Sequence, residues 1–479
     1  MAAHLHEDLL SPTSALSAQM IAFAGEMTRW PTRVLDSYAW GWDDYTGVRY
    51  APLHATMALR ALAGRLHVER AASNKALTLA QHALAEHQAA FRDMQAMLLG
   101  ISPLEEGEID TPPAPGEWPV RTIVMHVHEV ERYFLATILN ALDGGPADEL
   151  NPEQVAARTG EQVAILPTGT LTELWAEYAR VHAKVQAWLV YLSDEEVHTL
   201  STMWESTPLP ILFRMQRLAA HVREHTNQLE KTLRVLDRAP GEGQMLARQL
   251  LAALAEVEGL RLGMGTLGVA ACDQLAHELA ERFAPLQEIH GRVDGFNAGV
   301  AAGDVAATQA YLTQSPGLAY THMDDGVSAL LFSLHHGNAA IVAALRASGM
   351  RTTLHEASAL GEAARVERIL GYVPDEIDAF SSDGYTPLQL ASYYGRTEVV
   401  SILLAHGANV HAVARNAMAI QPLHAAVAGN HYEVARMLLD AGADANATQA
   451  GGFTPIMAAT QHKNAPLAAL LRAAGALDT

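Results

Sequence analysis

Two histidines set four apart, His221 and His225 in RLAAHVREHTNQLEKTL, are the residues of this chain best suited to chemistry. On a helix, positions i and i+4 share a face, so both imidazoles can reach one ion. A third, His126, lies far upstream in PAPGEWPVRTIVMHVHEVERYF. Brought in by a neighbouring helix, it would complete a facial set of three and leave coordination positions for water or substrate. Such a set belongs to a reactive metal centre rather than a closed structural one. The pair alone carries little weight, because the chain holds 23 histidines and chance gives about one pair at that spacing.

The elements that must position these side chains are four amphipathic helices, over 74–99, 118–142, 170–192 and 210–236. A proline-bearing loop, 102–119, separates the first two, and Asp143-Gly144-Gly145-Pro146 stops the second. In the fourth, Ile211, Met215, Leu218, Val222, Leu229 and Leu233 form an apolar stripe at helical spacing, with His221 and His225 on its flank. A bundle places side chains facing a partly open cleft on such a flank. In the second helix, His126 and His128 both lie near the edge of the stripe of Val120, Ile123, Val127 and Phe134. Periodicity does not separate them.

Together the two segments, with the H-x-x-x-H-x-x-Q pattern of the fourth helix and the E-W-P-V opening of the second, resemble the DinB family of metal-binding four-helix bundles over roughly 73–237. The flanking phrases ISPLEEGEI and LSDEEVHTL agree. The resemblance implies that His126, rather than His128, joins His221 and His225 as a metal ligand, and that Gln228 is the family's glutamine. Gln228 and Glu224 are then candidates for hydrogen bonds that orient the imidazoles. The family has Ser or Thr after the tryptophan where this chain has Pro119, a residue suited to a helix start.

From about residue 296 the sequence repeats with a period of about 33 residues. The clearest units are DGYTPLQLASYYGRTEVVSILLAHGANVHAVARN, AMAIQPLHAAVAGNHYEVARMLLDAGADANATQA and GGFTPIMAATQHKNAPLAALLRAAGALDT. Thr386-Pro387 and Thr454-Pro455 offer a capping hydroxyl and then a proline. Gly395, Gly407, Gly429 and Gly442 sit where helices end. These units resemble ankyrin repeats, and poorer copies upstream bring the number to about six. The fold expected is all-α: a DinB-like bundle followed by an ankyrin-repeat α-solenoid. Its parts would be a helical extension at 1–72, the bundle at 73–240, helical linkage at 241–295 and the repeats at 296–479.

Composition agrees and narrows the function classes. Alanine and leucine are abundant, and 49% of residues are hydrophobic. No run of about 18 apolar residues suggests a membrane span, and MAAHLHEDLL lacks a signal pattern. With 53 acids against 32 bases, the net charge of −21 repels nucleic acid and anionic membranes. A lone cysteine, Cys272, excludes an intramolecular disulfide. A cytoplasmic location is expected. Residues 263–268, G-M-G-T-L-G, match a dinucleotide-loop string but follow a long helix, not a strand, so they read as a helix–helix connector. Trp30, Tyr38, Trp40, Trp42, Tyr45 and Tyr50 cluster in the extension, as a packing anchor or as a wall over a pocket.

The resemblance to the DinB family implies a divalent cation, zinc or nickel, and an activity like that of its thiol-dependent transferases and isomerases or its metal-dependent hydrolases. A low-molecular-weight thiol would then be directed at a small electrophilic substrate. No G-x-S-x-G string offers a competing nucleophile. The ankyrin resemblance implies a protein partner. The alternative is a non-catalytic interaction or regulatory protein whose metal site is structural or vestigial.

Overall fold

The computed structural model describes residues 14–37, 40–42, 45–99, 101, 108–145, 150–160, 169–201 and 207–477. The amino-terminal ten residues, Tyr38, the side chains of Trp42 and Tyr45, most of ISPLEEGEI and Pro146 of the stop signal lie outside the described residues. The chain divides into two compact units, Met1–Leu35 with Arg49–Gln287 and Asp36–Val48 with Glu288–Thr479. Both are helical, as expected. The only strands among the described residues are two short pairs, Gly41–Trp42 with Tyr45–Thr46 and Leu200–Ser201 with Leu209–Pro210.

The first unit contains α1 (Ser14–Met27), α2 (Thr32–Leu35), α3 (Tyr50–Ala72), α4 (Leu79–Leu99), α5 (Val120–Leu142), α6 (Pro152–Thr159), α7 (Leu171–Leu189), α8 (Ile211–Val235), α9 (Glu242–Arg261) and α10 (Val269–Phe283). Helices α4, α5, α7 and α8 are the four expected from periodicity, and they pack as a bundle. Their starts follow local chemistry. Thr170 caps α7 in a capping box with Glu173. Pro119 is the N-cap of α5 rather than its first-turn residue and brings no side-chain bond. The Ile109 carbonyl takes up the slack, accepting from the Arg121 N–H at 3.0 Å. Helix α9 packs against α1, α3 and α4, and the G-M-G-T-L-G string joins it to α10. There Gly268 has φ of 75°, and a Cβ on it would come within 2.3 Å of Leu66 Cδ2.

The bundle core is interrupted. One apolar cluster gathers Leu84, Phe134, Ile138, Val185, Leu189 and Met215. A second gathers Phe91, Ile123, Val127, Tyr178, Val222 and Leu229. Between them, each on its helix's apolar stripe, stand His87, Glu131 and His182, all buried.

The second unit is built of helix pairs: α11 (Ile289–Ala302) with α12 (Val305–Gln314), α13 (Ala329–His335) with α14 (Ala339–Ala347), α15 (Leu354–Leu360) with α16 (Ala363–Tyr372), α17 (Pro387–Tyr393) with α18 (Thr397–Ala405), α19 (Pro422–Ala428) with α20 (Tyr432–Asp440), and α21 (Pro455–Gln461) with α22 (Ala465–Ala473). Each pair stacks on the next and buries aliphatic residues such as Val399, Leu403, Val434 and Leu438. Thr386 caps α17 as expected, in a box with Gln389. Thr454 does not cap α21; its hydroxyl is buried without a hydrogen-bond partner. Gly429 keeps a right-handed φ of −74°, and Asn430 takes the left-handed turn at φ 63°. Glycine is needed at 429 for close approach, since a Cβ would lie 2.2 Å from the Tyr393 carbonyl oxygen.

Of the amino-terminal aromatics, Trp30, Trp40 and Tyr50 have described side chains. Trp30 is in the first unit, edge-on to Phe23 at 5.9 Å. Trp40 falls in the second unit and is buried, while Tyr50 is exposed on α3.

Candidate metal centre

Helix α5 presents His126 to the His221–His225 pair on α8. The two helices pack directly, and the apolar stripes that drive this packing carry the histidines on their flanks. One nitrogen of each ring lies within 4.8 Å of the other two. His126 Nε2 and His221 Nε2 face each other at 3.2 Å. His225 Nδ1 donates to Gln228 Oε1 at 2.8 Å. An amide oxygen only accepts, so that bond holds the ring proton on Nδ1 and leaves the Nε2 lone pair free. Trp118 stacks parallel to His225 at 5.7 Å and stands edge-on to His126 at 4.9 Å. His126 and His221 are half-buried, and His225 is buried. Water therefore reaches one side of the group.

The electrostatics favour neutral rings at His126 and His221. Burial lowers His126 from its ordinary value, aided by His225 and opposed by Glu224. Burial pushes His221 down to about 3, helped by His225, His126 and Arg217 against the pull of Glu131. Neutral imidazoles with converging lone pairs suit a borderline divalent cation.

The structure brings together His126, His221, His225 and Gln228. His128 lies apart from them, buried, with neither ring nitrogen hydrogen-bonded. Glu224 is exposed, and its ion-pair partner is Arg217 at 3.7 Å rather than a triad ring. Cys272 is buried in α10, and burial raises its thiol. It is not an activated nucleophile.

Sequence reasoning missed a second group. His87 (α4), Glu131 (α5) and His182 (α7) also bring three donor atoms within 4.8 Å of one another. His182 Nδ1 lies 3.1 Å from Glu131 Oε1, and His87 Nε2 lies 3.2 Å from Glu131 Oε2. The sequence flags only one member, Glu131, which falls on the apolar stripe of α5 between Val127 and Phe134, and nothing in it joins the three. Burial pushes the Glu131 carboxyl up, but His87 and His182 outweigh it and hold it below the ordinary range. A cavity of about 340 Å³ opens beside His182 and Gln88. The triad histidines are not among its lining residues.

Comparison with known proteins agrees with this architecture. Residues 90–229 match the DinB superfamily. Residues 299–414 and 354–449 match Ankyrin repeats (3 copies). The chain is thus a fusion of a DinB-superfamily domain and, C-terminal to it, ankyrin repeats. The DinB superfamily is generally metal-binding, and ankyrin repeats support protein–protein interaction in general. Similar proteins include Ankyrin repeat and KH domain-containing protein mask-1 of Caenorhabditis elegans, 46% identical over 63 residues, 13% of this chain and 2% of that protein. E3 ubiquitin-protein ligase KEG of Arabidopsis thaliana is 34% identical over 113 residues, 24% of this chain and 7% of its own length. Ankyrin repeat domain-containing protein 49 of Bos taurus is 46% identical over 48 residues, 10% of this chain and 20% of its own. The chain spans no more than 20% of the length of any of these relatives.

Proposed function

We propose that this chain is a metal-dependent DinB-like protein that transfers a low-molecular-weight thiol to a small electrophile, with the ankyrin array docking a protein partner. The observation that carries the reading is the convergence of three imidazole nitrogens, one with its tautomer held by Gln228. His126, His221 and His225 would hold the ion. A divalent cation, zinc or nickel, would supply there the Lewis acidity that lowers the pKa of a thiol or a water. The protein's own part is positioning. Gln228 orients His225, Trp118 screens one flank with an apolar ring, and the half-buried His126 and His221 leave the other side reachable. In the transfer, the thiol proton goes to solvent, sulfur bonds to the electrophilic carbon, and the leaving group departs with its electron pair. The side-chain inventory supports an external nucleophile, because Cys272 is buried and its thiol raised.

A second reading is non-catalytic, with a structural ion and a partner-binding repeat array. It is favoured by one observation: the triad histidines do not line the 340 Å³ cavity of the same unit. Thiol-transfer assays separate the two readings. A panel of low-molecular-weight thiols with aryl and alkyl halide acceptors should give a metal-dependent rate that saturates with thiol and falls in His221→Ala. A rate equal to that of free thiol plus free metal, for every thiol, would leave the non-catalytic reading standing.

A further inference from the structure

We infer that His87, Glu131 and His182 form a second metal site, a buried two-histidine, one-carboxylate set for a divalent transition-metal cation, separate from the triad. The hydrogen bonds around His182 leave one of its nitrogens facing a carboxylate. Gln88 is oriented first: its Nε2–H donates to Glu258 Oε2 at 2.6 Å. Glu258 also accepts from Arg92 and from Ser17 at 2.6 Å, so it is acceptor throughout. The Gln88 Oε1 therefore faces His182 Nε2, 2.7 Å away. An amide oxygen only accepts, so the proton of His182 sits on Nε2; the Gln186 amide nitrogen, farther off at 3.4 Å, donates to the Leu84 carbonyl at 3.2 Å instead. A neutral imidazole has one N–H. Its Nδ1 lone pair then points at Glu131 Oε1 across 3.1 Å. A lone pair against a carboxylate, both buried, is repulsive. A cation shared by Nδ1 and the carboxylate turns that repulsion into two bonds.

His87 leads to the same place by a separate observation. The ring is wholly buried, and neither of its nitrogens has a hydrogen-bond partner. Glu131 Oε2, 3.2 Å from Nε2, is likewise without a hydrogen bond. Native cores rarely leave three such atoms unsatisfied. An extra proton on His182 would satisfy that ring alone and leave His87 unexplained. Donors about 2.0–2.1 Å from a tetrahedral ion stand about 3.3 Å apart, near the 3.1 and 3.2 Å that separate each imidazole from its own carboxylate oxygen, and one donor of each residue lies within 4.8 Å of the other two. The surroundings also suit an ion. The Gln88–Glu258–Arg92 chain fixes the far nitrogen of His182, as outer-shell carboxylates do for metal-bound imidazoles. Of the three, His182 lines the 340 Å³ cavity, so the cavity reaches one ligand of the set.

The test is zinc stoichiometry on the full-length chain, stripped with chelator, reloaded and desalted. The wild type should hold two ions. His126→Ala/His221→Ala, which removes only proposed triad ligands, should hold one. Glu131→Gln, isosteric but uncharged, should lose the buried ion and keep the triad's. A wild type with two ions that Glu131→Gln leaves unchanged would overturn the inference. So would a His126→Ala/His221→Ala protein with no bound ion. A wild type with one ion, lost on Glu131→Gln and kept in the double variant, would support the inference and sink the triad instead. Should Glu131→Gln not fold, as read by its circular dichroism, the double variant decides alone: one ion supports the site and none refutes it.

Discussion

At the triad, Gln228 is the side chain whose removal separates orientation from ligation. Its bond to His225 Nδ1 is 2.8 Å, and loss of such a partner costs roughly 10–100-fold in metal affinity. Gln228→Ala should therefore bind zinc that much more weakly in a competition titration while melting at the wild-type temperature; unchanged affinity would remove Gln228 from the site. Glu258 gives a second test at this scale. Burial alone would raise its carboxyl above the ordinary 4.5, but Arg92, with hydrogen bonds from Ser17 and Gln88, outweighs burial and lowers it. A carboxyl lowered on folding binds fewer protons folded than unfolded, so its contribution is complete above about pH 4.5 and is lost as pH falls through the folded value. Removing one partner of a buried pair costs about 3–5 kcal/mol. Glu258→Ala should lose that much in urea unfolding at pH 7, and the deficit should shrink below pH 4.5. The triad was legible because a close i,i+4 pair and a family pattern point to it. His87, Glu131 and His182 were not, because each is a lone polar residue on a different helix and only the packed bundle brings them together.

In the repeats, the helix caps are where sequence and structure part. Thr386 and Thr454 have the same Thr-Pro context, yet only Thr386 bonds the backbone, accepting from the Gln389 N–H at 3.3 Å. Thr386→Ala should cost about 1 kcal/mol, whereas Thr454→Ala should cost far less, because its hydroxyl is already unsatisfied. Equal losses in urea titrations of the two variants would contradict the difference in capping. The reciprocal half of the box follows the third residue after each threonine. Gln389 completes a box with its amide oxygen, whereas Met457 carries only a thioether, too weak an acceptor to do so. Helix α9 shows another limit. Its length and apolar content were legible, but a helix with many small apolar residues gives little direction to its buried face, and its packing on α1, α3 and α4 comes from tertiary complementarity.

On the scale of the whole chain, each unit has an apolar core of its own. A repeat stack is held by nearest-neighbour contacts, and the bundle closes around its two clusters. A chain ending near residue 290 should keep its helical circular dichroism and its metal, and aggregation or metal loss would show that the repeats complete the bundle. The order of parts was legible because a 33-residue period and a bundle pattern are long-range signals. The grouping of Asp36–Val48 with the second unit was not, since no local pattern marks a segment that leaves one core for another.

The central claim, that His126, His221 and His225 hold a metal ion, is tested most directly by elemental analysis of protein purified without chelator. The account predicts that His126→Ala, His221→Ala and His225→Ala each lose one equivalent relative to wild type while His128→Ala loses none. Full metal content in all three triad variants, or loss on His128→Ala in place of His126→Ala, would contradict it.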